Sequence, residues 1–228
     1  MKVSLLNDLL SQSKKSEIGF GVHENCVILS VANDVRKNKD NEVIKRNCFT
    51  VFGKKNEAGE IVAEREVSWF NIDSSTDYAY DNFFNQLDQM TAIVDALYVV
   101  SDEEKDVWDL AFEAILKEND IEFTKESLEK AIKTKKVCVE IMKALGDTYV
   151  ELLKPLVGKT SQQVRFKVVF DSNGKYLQQP KYNGFVESME ISLEDSRLKI
   201  LDSDQANKAK NGAPAVSNAK PAAKNLTL

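Results

Sequence analysis

Histidine occurs once in the 228 residues, at His23, and cysteine three times, at Cys26, Cys48 and Cys138. The cysteines are widely spaced and no CxxC pair exists. A structural zinc site needs four nitrogen or sulfur ligands, usually in close pairs, so no metal site is expected. Scattered cysteines, odd in number, fit buried free thiols in a reducing compartment. No Gly-rich phosphate loop is present. These absences leave little from which to build an enzyme, and no cofactor is expected. Carboxylate pairs could hold Mg²⁺ as they do in nucleases, but surface acids are too common to carry that reading. No apolar run approaches the length that crosses a bilayer. The first residues, MKVSLLNDLLSQSKK, have only a short apolar patch, broken by Asn7 and Asp8, unlike a secretory signal. The expected location is therefore the cytoplasm, away from membranes.

Charge is present in quantity but unevenly placed. The chain carries 31 basic and 36 acidic residues, net −5. Between Asp77 and Glu122 thirteen acids face only Lys105 and Lys117, a net of −11. The remaining 29 basic and 23 acidic residues net +6. An acidic block set into a mildly basic scaffold differs from a uniformly acidic protein, and it does not exclude an anionic partner.

The apolar pattern changes period along the chain. Val3, Leu5, Leu6, Leu9 and Leu10 have the spacing of a short amphipathic helix, so residues 1–16 are read as an N-terminal arm. Three β-segments follow, Val22–Ala32, Val43–Gly53 and Ile61–Ile72, separated by polar turns at Asn33–Glu42 and Lys54–Glu60. From about residue 74 to 158 the spacing becomes helical. Ser101 and Glu104 form a capping box, and Thr124 is placed to cap a long third helix that ends near Pro155 and Gly158. Strands return at Gln163–Phe170 and Phe185–Leu193. Residues 202–228 are rich in Ala, Asn, Lys, Ser and Pro and are expected to be a disordered tail.

Three strands, a helical insertion and two further strands is the order of an OB-fold, a small five-stranded barrel that binds oligonucleotides or oligosaccharides. The expected fold is thus α+β: an OB-fold-like five-stranded β-barrel over residues 17–201, with a large helical insertion between strands 3 and 4.

The candidate contacts are cations beside aromatic rings, because cations neutralise phosphates and ring faces stack bases. Arg36 and Lys37 lie in the first turn. Lys45, Arg46 and Phe49 lie on the second strand, whose two faces are equally mixed, so its inner face stays open. Lys54 and Lys55 rim the second turn. Arg65 and Trp69 share the more apolar side of the third strand, where Arg65 reads either as a salt-bridged arginine at the core edge or as a phosphate contact. On Gln163–Phe170, Arg165 and Lys167 alternate with Val164, Phe166, Val168 and Phe170, the pattern of a basic face over an apolar core. Lys175, Tyr176, Lys181 and Tyr182 form two Lys-Tyr pairs in the loop after that strand, with Asn173-Gly174 as its tight turn.

Four runs carry a family resemblance: GVHENCVILSV, KRNCFTVFG, VSWFNID with YAYDNFFNQL, and GKYLQQPKYNGFVES. Over about Gly19–Leu193 the chain resembles the single-stranded DNA-binding proteins of some tailed phages. The resemblance implies an OB core that covers exposed single strands during replication or recombination in the host cytoplasm. It gives a DNA-contact role, by position only, to Lys45, Arg46, Phe49, Arg65, Trp69, Arg165, Lys167, Tyr176, Lys181 and Tyr182. Many such proteins end in an acidic tail that recruits partners. Here Lys208, Lys210, Lys220 and Lys224 outnumber Asp202 and Asp204, so replication or recombination proteins are expected to dock through the acidic helices or the C-terminal tail, the acidic helices alternatively filling the groove when DNA is absent. The alternative is a non-enzymatic structural or interaction protein that works through the acidic insertion.

Overall fold

The structure is a computed structural model, which describes residues 16–37, 43–69, 78–98, 107–180 and 184–211. The expected helix in the N-terminal arm, the capping box at Ser101, and Lys181 and Tyr182 lie outside these residues. The protein is α+β, with a curled mixed sheet and a block of helices. Its strands are β1 (Ser16–Glu17), β2 (Gly21–Lys37), β3 (Val43–Lys55), β4 (Ile61–Trp69), β5 (Val164–Phe170), β6 (Leu177–Gln178) and β7 (Val186–Ser188). The sheet order is β1-β4-β3-β2-β5-β6, with β7 also on β5. All pairs are antiparallel except β1 with β4.

β2 organises the sheet by pairing with β3 along most of its length and with β5 near its start. It bends between these duties. Asn25 takes φ 58°, in the left-handed region that Asn tolerates, at the register shift between His23 and Cys26. The first expected turn is largely strand. β2 continues to Lys37 and sets Arg36 opposite Lys45 and Val35 opposite Arg46, so Arg36 and Lys37 belong to a ladder and not to a loop. The polar composition of Asn33–Lys37 hid a strand whose hydrogen bonds are supplied by β3.

The last expected strand is shorter than the sequence predicts. Only Val186–Ser188 pairs with β5, and turns follow at residues 189–190 and 193–195. Among the described residues β7 makes no ladder with β4, so the ladders do not close. A side chain bridges instead. The Arg65 guanidinium on β4 donates to the Glu17 carboxylate of β1 and, at 2.6 Å, to the Leu177 carbonyl of β6. The Arg65 side chain thus joins the two far edges of the curled sheet.

Between β4 and β5 lie α1 (Tyr78–Leu97), α2 (Val107–Glu118), α3 (Lys125–Ile132) and α4 (Lys135–Leu153), then a 3₁₀ turn at Lys154–Leu156. The predicted third helix is in fact two. Thr124 caps α3 by accepting from the Ser127 amide at 3.2 Å, and the chain breaks at Lys133–Thr134 before α4. The buried stripe of α4 runs through Cys138, Ile141, Met142, Leu145, Tyr149 and Leu153, at helical spacing. It packs on β2 and on the other helices.

Gly146 lets α4 approach the sheet closely. A Cβ there would lie 3.2 Å from the Asn33 Oδ1, while the Asn33 amide donates to Asp147 at 2.6 Å and the Cys48 thiol faces the Gly146 carbonyl at 3.9 Å. The Tyr149 hydroxyl hydrogen-bonds Thr50 of β3 at 2.8 Å in full burial, and burial pushes its phenol well above the ordinary value. The core continues into the barrel-like half through Phe52, stacked on Phe166 at 4.7 Å, and Phe185, edge-on to Phe166 at 5.9 Å. Fully burying one such ring contributes about 1.5–3 kcal/mol.

One further correction concerns the C-terminal residues. Residues 202–211 are not a disordered stretch: Asp202–Asn211 is a helix, α5, packed on β5. Residues 212–228 lie outside the described part.

Candidate nucleic-acid interface

The predicted cations divide into two groups, and β5 shows why. Its two faces are both covered. Val164, Phe166 and Val168 face the core with Phe52 and Phe185, as the alternation predicts. The opposite face does not meet solvent. Arg165 and Lys167 retain only 4% and 2% of their exposure. Arg165 donates to Glu24 at 3.0 Å, to Glu187 at 3.2 Å and to the Ile191 carbonyl at 2.7 Å. Glu187 in turn accepts from the Ser196 hydroxyl and, at 3.1 Å, from the Arg197 amide. Lys167 sits 2.7 Å from the Asp204 carboxylate and donates to the Lys199 carbonyl at 2.8 Å. The segment after β7 folds over this face, and Glu24 of β2, Glu187 of β7 and Asp204 of α5 supply the carboxylates that buried cations require. The expectation of an open basic face on β5 is therefore corrected.

Arg65 resolves the same way. It is the salt-bridged arginine at the core edge, 8% exposed between Ala63 and Val67. Burial lowers its guanidinium from the ordinary value, and Glu17 partly restores it. These three cations hold the fold together and present little to a ligand.

On β3 the open question of face is settled. Cys48, Thr50 and Phe52 point inward and are buried. Phe49 and Val51 are half-buried on the outer side, in register with Ser68 and Glu66 of β4. Glu66 is exposed and Glu64 partly so, which makes the neighbouring strip acidic rather than basic. Of Arg36, Lys37, Lys45, Arg46 and Trp69 the structure describes the backbone: all five lie in the ladders of β2, β3 and β4 at one end of the sheet.

The exposed predicted residues gather elsewhere, at the end of β5. Asp171 builds the turn. Its carboxylate accepts from the amides of Lys175 at 2.6 Å and Tyr176 at 3.0 Å, and these bonds hold its pKa below the usual carboxylate value. Gly174 at φ 69° closes the turn. Tyr176 is left 61% exposed, with the Lys175 ammonium 5.0 Å over its ring. Beside it, Phe170 stacks on Phe20 with centroids 5.9 Å apart and ring planes within 19°. Lys208 of α5 sits 4.8 Å over the Phe20 ring, and Lys210 donates to the Ser172 carbonyl at 2.8 Å.

A further contact line leads from Gly19, next to Phe20, to the β3 hairpin. His23 donates from Nε2 to the Gly19 carbonyl at 2.9 Å, and its Nδ1 faces the Lys54 ammonium at 3.3 Å. Burial first, then Lys54, keeps the imidazole pKa below 6.5, against the raising effect of Gly19. Lys54 and Lys55 are half-buried at the rim of this hairpin. The result is a ridge: Lys54, His23, Phe20, Phe170, Tyr176 and Lys175, flanked by Lys208 and Lys210.

Phe20, Phe170, Lys208 and Lys210 are absent from the sequence-based candidates. Phe170 reads as core by alternation, and Phe20 precedes any clear strand. A signal for α5 existed: Asp202 and Asp204 open it and Lys208 and Lys210 close it, the charge order that complements a helix dipole. Among the described residues no group of three His, Cys, Asp or Glu converges as a metal cradle, and no helix is long and apolar enough to cross a membrane.

Comparison with known proteins gives no match: no family model, no curated protein and no solved structure is similar to this chain. The functional reading is carried by the residues and their arrangement.

Proposed function

We propose that this protein binds single-stranded DNA without sequence preference, as a non-enzymatic covering protein in phage-type replication or recombination in the host cytoplasm. The observation that carries the reading is the ridge at the end of β5, where exposed Tyr176 and the half-buried, mutually stacked Phe20 and Phe170 lie among the ammonium groups of Lys175, Lys208 and Lys210. Bases stack on such rings at about 1–3 kcal/mol each, whatever their identity, while lysines neutralise phosphates. The strand order supports an OB-like arrangement. The first long strand pairs with both the second and the strand that follows the helices, and the turn after that strand carries the candidate contacts. The resemblance of the four sequence runs to phage single-strand binders points the same way.

The test is fluorescence anisotropy with a labelled oligo-dT of a few tens of nucleotides, at several salt concentrations, with duplex DNA and oligo-U as competitors. Binding is expected to prefer the single strand and to weaken steeply with salt through counterion release. Tyr176→Ala is expected to weaken it about tenfold, the equivalent of about 1.4 kcal/mol for one lost stack. No binding at low salt removes the reading, and preference for oligo-U redirects it to RNA.

A second reading has its own observation. On the loop after α2, Phe123 is 53% exposed, packed on Phe112 and flanked by Asp120 and Glu122. An exposed aromatic ring beside carboxylates fits a protein-interaction role, which absence of DNA binding would favour.

A further inference from the structure

We infer that α5 is an integral part of the single-strand site and that the buried Asp204–Lys167 pair is the device that positions it; this rests on the single-strand reading above. The sequence of α5, DSDQANKAKN, contains no large apolar residue, and its one buried residue is Asp204. A ten-residue polar helix is marginal by itself because nucleation is costly, and here it has no hydrophobic face to dock. Its place on β5 must come from specific polar contacts.

Two such contacts, about two turns apart, define that place. At the start of the helix the Asp204 carboxylate meets the Lys167 ammonium at 2.7 Å and accepts from the Leu201 amide at 3.0 Å. The pair is largely removed from solvent, so salt screens it little. At the other end α5 rests on Gly174. A Cβ there would strike the Asn207 carbonyl and come within 2.6 Å of the Lys210 Cβ, so only glycine accepts the helix this close. Between these points Lys208 reaches over Phe20, and Lys210 ties to Ser172 beside the Tyr176 turn. A lysine has three donors. Lys210 directs two, to Ser172 and to the Asn207 side chain at 3.3 Å, and keeps one for a phosphate.

Lys167 is thus a positioning residue, one side chain removed from the nucleic acid. Its charge, read from sequence as a phosphate contact, is spent on a carboxylate that brings two other cations to the ridge.

The full chain is titrated with labelled oligo-dT over a salt series as wild type, Lys208→Gln/Lys210→Gln, Asp204→Asn, Asp204→Glu, and a control, Lys130→Gln/Lys133→Gln, on exposed lysines of the helical block. Each phosphate contact to a single strand contributes about 0.7 to the slope of log affinity against log salt. The double variant on α5 is expected to lower that slope by about 1.4, and the control to leave it unchanged. Asp204→Asn is expected to lower it by a similar amount without removing any cation, and Asp204→Glu to restore most of it. Wild type that fails to bind oligo-dT overturns the single-strand reading itself. Wild type that binds, with an unchanged slope in the exposed α5 double variant, overturns the inference and leaves the reading standing. Tighter binding by Asp204→Asn also overturns it, since α5 would then be a cover over the site.

Discussion

Two sets of cations lie within a few residues of each other and end in opposite surroundings. Arg165 and Lys167 on β5 are enclosed and matched to Glu24, Glu187 and Asp204. Lys175, a few residues on, is exposed beside Tyr176 and is joined there by Lys208 and Lys210. Arg165, Lys167 and Lys175 look alike in sequence: basic residues alternating with or adjoining aromatic rings. The difference is what comes back over them. The segment from Glu187 to Asp204 returns across β5 with carboxylates at the right positions, whereas Tyr176 keeps 61% of its exposure. The enclosed set should matter for stability and the exposed set for binding, and each of the following substitutions strains that division.

Arg165→Ala should have the largest effect. It leaves the Glu187 carboxylate buried without its main partner, and breaking a buried pair costs about 3–5 kcal/mol. Urea unfolding should show a lower midpoint with little change in slope, and folded protein at low temperature should keep its salt-dependent DNA slope. If the slope falls while stability holds, Arg165 belongs to the binding set after all.

Tyr149→Phe comes next. The tyrosine hydroxyl is the partner of Thr50 at 2.8 Å in a dry contact between α4 and β3. Losing it leaves the Thr50 hydroxyl unsatisfied, at a cost of about 1–3 kcal/mol. The same urea titration measures it, and DNA binding should not change, because this contact lies on the inner face of the sheet.

Lys175→Gln is the converse. An exposed lysine away from buried networks should leave stability within about 0.5 kcal/mol, while lowering the salt slope by about 0.7. A marked fall in melting temperature would place this lysine with the structural cations.

The smallest expected effect is the pH response of His23. Its pKa is lower in the folded protein than in the unfolded chain. The unfolded chain therefore takes up the proton first as pH falls. The neutral imidazole's contribution is fully present above about pH 6.5, and it is lost as pH falls below that value toward the depressed folded pKa. Melting temperatures at pH 7.5 and 5.5 should differ less for His23→Gln than for wild type. Protonation at Nδ1 would also set a cation against Lys54, so this variant should flatten any pH dependence of the Lys54 end of the ridge.

Much of the architecture was legible in the residues themselves. The switch from period two to helical spacing near residue 74 and back near 163 is a local property, because strand and helix repeat differently. The Thr124 cap and the turn at Asn173-Gly174 depend on a few neighbouring atoms, and both are present. The apolar side of β5 was equally plain. Alternation along a strand distinguishes two faces but does not say that either is wet, since that depends on chain remote in sequence. Only the folded chain brought Glu187 and Asp204 to Arg165 and Lys167, carried β2 through a polar stretch by pairing it with β3, and set Lys208 and Lys210 on a helix beside β5. Only it set Phe20 against Phe170, 150 residues apart, and Lys208 above them. Local pattern determined which elements form. Long-range charge pairing, which no local window contains, decided which cations are enclosed and which stay exposed.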